Sequence, residues 1–430
     1  MYPIEHHELD NGLGVVVITD RTVPSVATSL VYRVGSADEP PGKTGLAHLV
    51  EHLMFESSHD DADEPWLVQA HGGVCNGATT ADFTLYHSQV PAGALELAVW
   101  LEARRLTTLP DRLVPATLDK HRAIIDQERR QRFGGVFGPL TERLQASLFP
   151  EEHPYRHPTI GTVEDLDAAG PQDIEAFFAR HYQPRNAVLA VVGDVTADHA
   201  FAAAERYLAP IPSGNWCPPA GVEQLAPMSG PTRADVPVAA LPYPLVTLGF
   251  RLPPNSVAPS ADIFAAHAAL RILAGGPASR VFRRLVTGEG IAHTIAADVD
   301  PRQATSIGIV QAHLIPGTPA MSTDKAVLVA EEVLLEELVR LVEEGPHDDE
   351  LARWRSGYER EALDGLAPLQ GRADALASFA AAFDDPAAIS TYIDRIRSVE
   401  VEQVQRVTDT WLRPASRATV SFTPAATADF

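Results

Sequence analysis

Along the first two hundred positions, apolar residues recur with a period near two in some stretches and near 3.6 in others, which marks strands interleaved with helices. Short apolar runs predict strands at Gly14 to Ile18 and Val26 to Val34, and a helical repeat follows from Thr44 to Phe55. A second helical repeat covers Ala116 to Arg132. The very apolar run Asn186 to Val192, stopped by Gly193-Asp194, predicts a further strand. After it the pattern lapses. Pro212, Pro218, Pro219, Pro227 and Pro231 stand among Gly, Ser and Ala, a composition that reads as a linker and not as an element.

Beyond the linker the pattern resumes with an apolar run from Leu245 to Phe250 and a helical repeat from Ala261 to Leu273. A Gly275-Gly276 break and another helix near Arg280 to Leu285 follow. The order strand, polar loop, helix with an apolar face repeats that of Val26 to Phe55, so two domains of one plan are expected. Their bounds are 1–212 and 237–430, joined by the Pro-rich segment 213–236. A length of 430 residues fits this, being too great for one ordinary compact domain. Pro424 to Phe430 reads as a loose tail.

Charge narrows the partners. With 34 Lys plus Arg against 57 Asp plus Glu, the chain carries a formal charge of -23, which repels nucleic-acid phosphates and anionic lipid and favours basic peptides. No apolar run approaches the length of a membrane span, and nothing before Asp10 resembles a secretory leader, so a cytoplasmic location is expected. The two cysteines, Cys75 and Cys217, are too few for a disulfide framework or a thiolate-rich zinc site.

The candidate chemistry lies in the first helical repeat, Gly45-Leu-Ala-His48-Leu-Val-Glu51-His52-Leu-Met-Phe55. On a helix, His48, Glu51 and His52 fall within an arc of about 100° and point one way. Leu46, Leu49, Val50, Leu53 and Met54 occupy much of the rest, so the helix is expected to be buried nearly all round. Two imidazoles and a carboxylate in such a place need partners. A divalent ion supplies them, because His at i and i+4 both reach one tetrahedral zinc while the intervening carboxylate stays beside it as a general base. Two satisfied core histidines are the plainer alternative.

A catalytic zinc takes a third protein ligand and keeps one position open. On the helix from Ala116 to Arg132, Glu128 shares a face with His121, Ile124 and Ile125, whereas Asp126 shares its face with Arg122, Arg129 and Arg130. Glu128 is therefore the candidate ligand and Asp126 the solvated acid, although a lone Glu paired with a nearby Arg is the commoner fate. His121 is either a residue supporting the ligands from behind or a helix-surface histidine.

The chain resembles the pitrilysin and insulinase family of zinc peptidases, in particular its short two-domain members that include the mitochondrial processing peptidase subunits. Several blocks carry the likeness in order: His48-x-x-Glu51-His52, the inverted form of the common zinc-peptidase motif; Gly72-Gly73-Val74-Cys75-Asn76-Gly77-Ala78-Thr79, followed by Thr84-x-Tyr86; His153-Pro154-Tyr155 with Pro158 and Gly161-Thr162; and Tyr182-x-Pro184-x-Asn186-Ala187 leading into Val191-Val192-Gly193-Asp194. The resemblance implies an α+β fold of two homologous domains, each a mostly antiparallel sheet packed against helices. It implies one Zn2+ per chain held by His48, His52 and Glu128, with Glu51 as catalytic base. Glu128 follows His52 by 76 positions (128 − 52), the spacing of the family's third ligand. His121 stands where the family often has an assisting glutamate. Asn76, Gly77, Ala78 and Thr79 resemble an edge strand that pairs with the substrate backbone.

The second half departs from the family. An Arg and a Tyr seven residues apart commonly hold the substrate there, and Val286 and His293 occupy those positions. Neither offers a guanidinium fork. The resemblance thus implies the zinc-bearing subunit of a heterodimer whose homologous partner carries the Arg and Tyr. Together they would form an endopeptidase for short or unfolded peptides enclosed in a clamshell chamber. A homodimer with an altered clamp, a non-catalytic scaffold of the same fold and a zinc-dependent peptide-binding protein are the alternatives.

Overall fold

In the computed structural model the described residues are 3–56, 64–215, 218, 221–255, 261–317 and 321–425. Cys217 and the tail beyond residue 425 lie outside them. Two compact units emerge. The first comprises Met1–Arg129, His157–Ala220 and Ala362–Thr391, and the second Arg130–Arg156, Gly221–Glu361 and Tyr392–Phe430.

The first unit holds strands β1 (Glu5–Glu8), β2 (Gly14–Thr19), β3 (Ser25–Tyr32), β4 (Val74–Thr79), β5 (Thr84–Pro91) and β6 (Ala187–Gly193) in the order β1-β2-β6-β3-β5-β4. All neighbours run antiparallel except β2 and β6. All seven residues of β6 and seven of the eight in β3 are buried, because helices cover both faces. Central strands of this kind read as continuous apolar runs, which is why they were visible without alternation. On one face, Leu369, Ala373, Leu376, Ala377, Ala380 and Ala381 of the helix Leu369–Phe383 pack on Val16, Ile18, Ala27, Val31, Val188, Ala190 and Val192. The alanine-rich stripe lets helix and sheet lie close.

The second unit holds β7 (Thr232–Val238), β8 (Leu245–Leu252), β9 (Ala292–Asp300), β10 (Ser306–Leu314) and β11 (Arg417–Pro424) in the order β7-β11-β8-β10-β9. Omitting β1, both sheets run first strand, last, second, fourth, third, with the first and last parallel. The two-fold repeat expected from the sequence is thus present in the topology. The helix Leu46–Met54 lies between β3 and β4, and its counterpart Ala261–Ala274 between β8 and β9. The helix Pro115–Phe133 likewise has its counterpart in Asp348–Leu366.

Two features differ from the expected division of the chain at 213–236. Helix Leu369–Phe383 comes from the second half of the sequence yet belongs to the first unit, and helix Leu140–Leu148 from the first half belongs to the second, where it packs on β7, β8 and β11. The segment read as linker is also structured at its end, since β7 begins at Thr232. It is an edge strand, which tolerates Pro237, and the prolines that carried the linker reading all precede it.

Candidate metal centre

The helix Leu46–Met54 starts abruptly at Gly45, whose φ of 88° lies in the left-handed region. A Cβ there would also fall 2.7 Å from the Ile160 carbonyl oxygen, so only glycine fits. The first turn is closed by Glu39, whose carboxylate accepts from the amides of Gly45 at 2.9 Å and Ala47 at 2.8 Å. A carboxylate at a helix N-terminus satisfies orphan donors and meets the positive end of the dipole. Every residue of the helix is buried except His48 and His52, which are half-buried. The helix is thereby fixed in position and in rotation about its axis.

His48 and His52 present their rings edge to face, with centroids 4.7 Å apart. The Glu128 carboxylate reaches both: Oε2 lies 3.7 Å from His48 Nε2, and Oε1 lies 3.6 Å from His52 Nε2. One ligand atom from each of the three residues falls within 4.8 Å of the others. Two ligands of a tetrahedral zinc with bonds of about 2.0–2.1 Å are about 3.3–3.4 Å apart, so the two separations from Glu128 lie within a few tenths of an ångström of what such an ion needs, and the donor chemistry suits it. Burial lowers the pKa of His52, with Glu128 opposing the shift and His121 adding to it. That favours the neutral imidazole a metal requires.

Glu128 lies on the helix Pro115–Phe133, where Leu118, His121 and Ile125 are buried. Ile124, assigned to the same face from the sequence, is 37% exposed. The buried stripe is narrower than expected, and Glu128 sits at its edge, half-buried, facing the histidines.

Glu51 is buried beside β4, and its Oε2 accepts a hydrogen bond of 2.5 Å from the Thr79 hydroxyl. Gly77 lies over it, for a Cβ there would be 2.9 Å from Phe55 Cε2 and 3.1 Å from Glu51 Oε1. β4 is the edge of its sheet. Its alternation leaves Val74, Asn76 and Ala78 exposed and turns Cys75, Gly77 and Thr79 toward the half-buried side. Of the four residues read from sequence as a substrate-pairing edge, Asn76 and Ala78 thus have exposed side chains, while the Thr79 side chain is engaged by Glu51. Burial pushes the Cys75 thiol up to about 11, with Glu102 acting in the same direction, so it is no nucleophile.

His121 is buried, its ring centroid 6.0 Å from that of His52, and its Nε2 lies 2.7 Å from Glu56 Oε2. Lys120 holds the same carboxylate at 2.8 Å. Sequence reading passed over Glu56, because a lone acid after a helix looks like any surface residue. It also passed over Arg105, the largest fully buried side chain among the described residues, which pairs with Glu64 and Glu102 and lies against the rings of Phe55 and Tyr86 at 5.0 and 5.1 Å. In the second unit Val286 is half-buried, and His293 is exposed on β9, the edge strand of its sheet.

Comparison with known proteins identifies the family. Residues 14–132 match the family described as Insulinase (Peptidase family M16), and residues 169–358 match the Peptidase M16 inactive domain. The chain is similar to the zinc protease PqqE of Helicobacter pylori, 31% identical over 206 residues, a stretch that covers 46% of this chain and 45% of that protein. An uncharacterised zinc protease of Mycobacterium leprae is 28% identical over 72% of this chain and 68% of its own length. Among solved structures, a protease from Helicobacter pylori superposes with a TM-score of 0.87 at 24% identity, covering 99% of this chain and 100% of that one, which shows a shared fold. Both halves of the chain therefore belong to the pitrilysin and insulinase (M16) family of peptidases.

Proposed function

We propose that this chain is a zinc-dependent endopeptidase subunit in which His48, His52 and Glu128 hold one Zn2+ and Glu51 is the catalytic base. The observation that carries the proposal is the convergence of those three donors within 4.8 Å, one helical turn from a carboxylate that is itself oriented by a hydrogen bond. The bound ion would polarise a peptide carbonyl and acidify a neighbouring water. Glu51 then takes the proton from the attacking water and returns it to the departing amine. The edge of β4, with Asn76, Gly77 and Ala78, offers backbone groups to an extended peptide, a mode that reads main chain before side chain. His121, backed by Glu56, supports His52 from behind.

A scaffold role is the second reading. It is disfavoured because a scaffold has no use for four polar groups gathered in a half-buried site. We further propose that the chain works with a homologous subunit supplying the Arg and Tyr that Val286 and His293 replace, and that its acidic charge favours basic peptides. Cytoplasmic residence is part of the same proposal. The test is metal analysis of the purified chain, then cleavage of unfolded peptides by Glu51→Gln with zinc retained. A chain that takes up no zinc at these residues ends the hydrolase reading. Full-rate cleavage by this chain alone ends the heterodimer proposal.

A further inference from the structure

We infer that the second unit holds a binding site for an α-carboxylate beside a small apolar side chain, the chemistry shared by a free aliphatic amino acid and a peptide's C-terminal residue. The inference is independent of the peptidase reading. The site is a cavity of about 160 Å³ between helices Ala261–Ala274 and Asp348–Leu366, the counterparts of the two that bring His48, His52 and Glu128 together. A cavity of about 150 Å³ in a protein interior accepts benzene, so this one takes a single side chain and not an extended ligand. Its aromatic wall is held in place. Tyr358 packs against His267 and Trp354, with ring centroids 4.0 and 5.6 Å away; its hydroxyl meets that of Tyr392 at 3.0 Å, and Trp354 Nε1 donates to His267 at 2.9 Å. With those polar ends already bonded, Tyr358 and Trp354 offer the cavity ring carbon.

Polar groups on the cavity are unequally engaged. Glu350 lines it, but Arg280 Nε and Nη2 hold its two oxygens at 2.9 and 2.6 Å and the His347 amide adds a bond of 3.0 Å, so its charge is balanced from behind. Arg271 and Arg353 line it too. Among the described residues, Arg271 gives a single N–H to Glu361 at 2.9 Å and Arg353 a single N–H to Asp349 at 2.8 Å, and a guanidinium has several more to give. Two such forks on one small cavity suit a carboxylate, and the carbon wall favours a carboxylate that carries a side chain over a bare anion. Glu361 stands beside Arg271 and suits an ammonium, so a free amino acid and a chain end differ there. Gly357 keeps the space open. It lies inside Asp348–Leu366, where glycine weakens a helix, and among the described residues a Cβ built on it meets nothing within 4 Å beyond its own turn.

The experiment titrates the full chain with N-acetyl-leucine, followed by ligand-observed NMR and tryptophan fluorescence. The wild type should bind saturably at about millimolar concentration, the range of a fragment this small. N-acetyl-leucine amide, which lacks the carboxylate, and acetate, which lacks the side chain, should each bind about tenfold more weakly or worse. Arg271→Gln, Arg353→Gln and Gly357→Leu should each keep the melting temperature and weaken binding by about tenfold or more, the first two by losing donors and the third by filling the cavity. His48→Ala should bind as the wild type does, because the metal centre lies in the other unit. Free leucine bound more tightly than N-acetyl-leucine, with the advantage lost in Glu361→Gln, supports the inference and assigns the site to an amino acid. A tetrapeptide ending in leucine bound more tightly than either supports it and assigns the site to a chain end. The inference is overturned by a wild type without saturable binding, by equal binding of acid and amide, by a Gly357→Leu chain that binds normally, or by loss of binding in His48→Ala.

Discussion

Arg271 and Glu361 pair at 2.9 Å in the second unit, between the same two elements that carry His52 and Glu128 in the first. Helix Ala261–Ala274 is the topological counterpart of the motif helix, and Asp348–Leu366 is that of the helix bearing Glu128. The second unit keeps a carboxylate on the later helix, but the positive charge opposite it is a guanidinium covalently part of the chain. A site that carries its own cation has no electrostatic need for a divalent one. One zinc per chain, bound in the first unit, is the expected stoichiometry by elemental analysis, and Arg271→Gln should leave it at one.

Metal binding should register as stability. His48→Ala and Glu128→Gln should each abolish stoichiometric zinc uptake. Zinc added at about a hundred times its dissociation constant should raise the melting temperature of the wild type by roughly 5 °C or more and leave that of His48→Ala unmoved. Scanning calorimetry of metal-free and zinc-loaded samples checks this without any assay of cleavage.

Glu51→Gln separates chemistry from binding. The substitution preserves size and the hydrogen bond from Thr79 but removes the base, so zinc content should be unchanged and peptide cleavage should fall by about 10²–10⁴. A peptide-binding protein without hydrolase activity would retain all its function in this variant.

Two ion pairs of the second unit should differ sharply in worth. Arg271 and Glu361 are 34% and 39% exposed, and removing the Arg should change unfolding free energy by no more than about 1 kcal/mol. Arg280 and Glu350 are 5% and 4% exposed and joined at 2.6 and 2.9 Å, so Arg280→Ala leaves a buried carboxylate with only the His347 amide at 3.0 Å and Arg283 at 3.7 Å and should cost about 3 kcal/mol. Urea denaturation of the two variants gives the comparison.

Acid should weaken the second unit through His267. Its Nδ1 accepts a hydrogen bond from Trp354 at 2.9 Å, its ring stacks on Tyr358 with centroids 4.0 Å apart, and burial, assisted by Arg271, lowers its pKa to about 3. Between that value and about 6.5 the unfolded chain binds a proton that the folded chain refuses, so stability falls as pH falls, by about 1.4 kcal/mol per pH unit at most. Denaturant midpoints measured from pH 7 to pH 4 should decline, and less steeply in His267→Gln, which keeps an acceptor for Trp354 and does not titrate.

By itself the sequence determined the local elements and the chemistry one helix can hold. The strand Gly14–Thr19, the motif helix and the strand Leu245–Leu252 were legible because their apolar periodicity records which faces are buried. His48, Glu51 and His52 were legible as a set because helical spacing alone puts them on one side. Beyond Glu128, only the tertiary structure decided what meets that set. Thr79 and Glu56 reach the site across gaps that periodicity does not encode. Arg271 finds Glu361 ninety residues away (361 − 271), and the helices Leu140–Leu148 and Leu369–Phe383 each join the sheet of the other sequence half. Local pattern reports how a segment is buried but not against which segment. That choice is set by packing summed over the whole chain, and it was beyond what short-range spacing can carry.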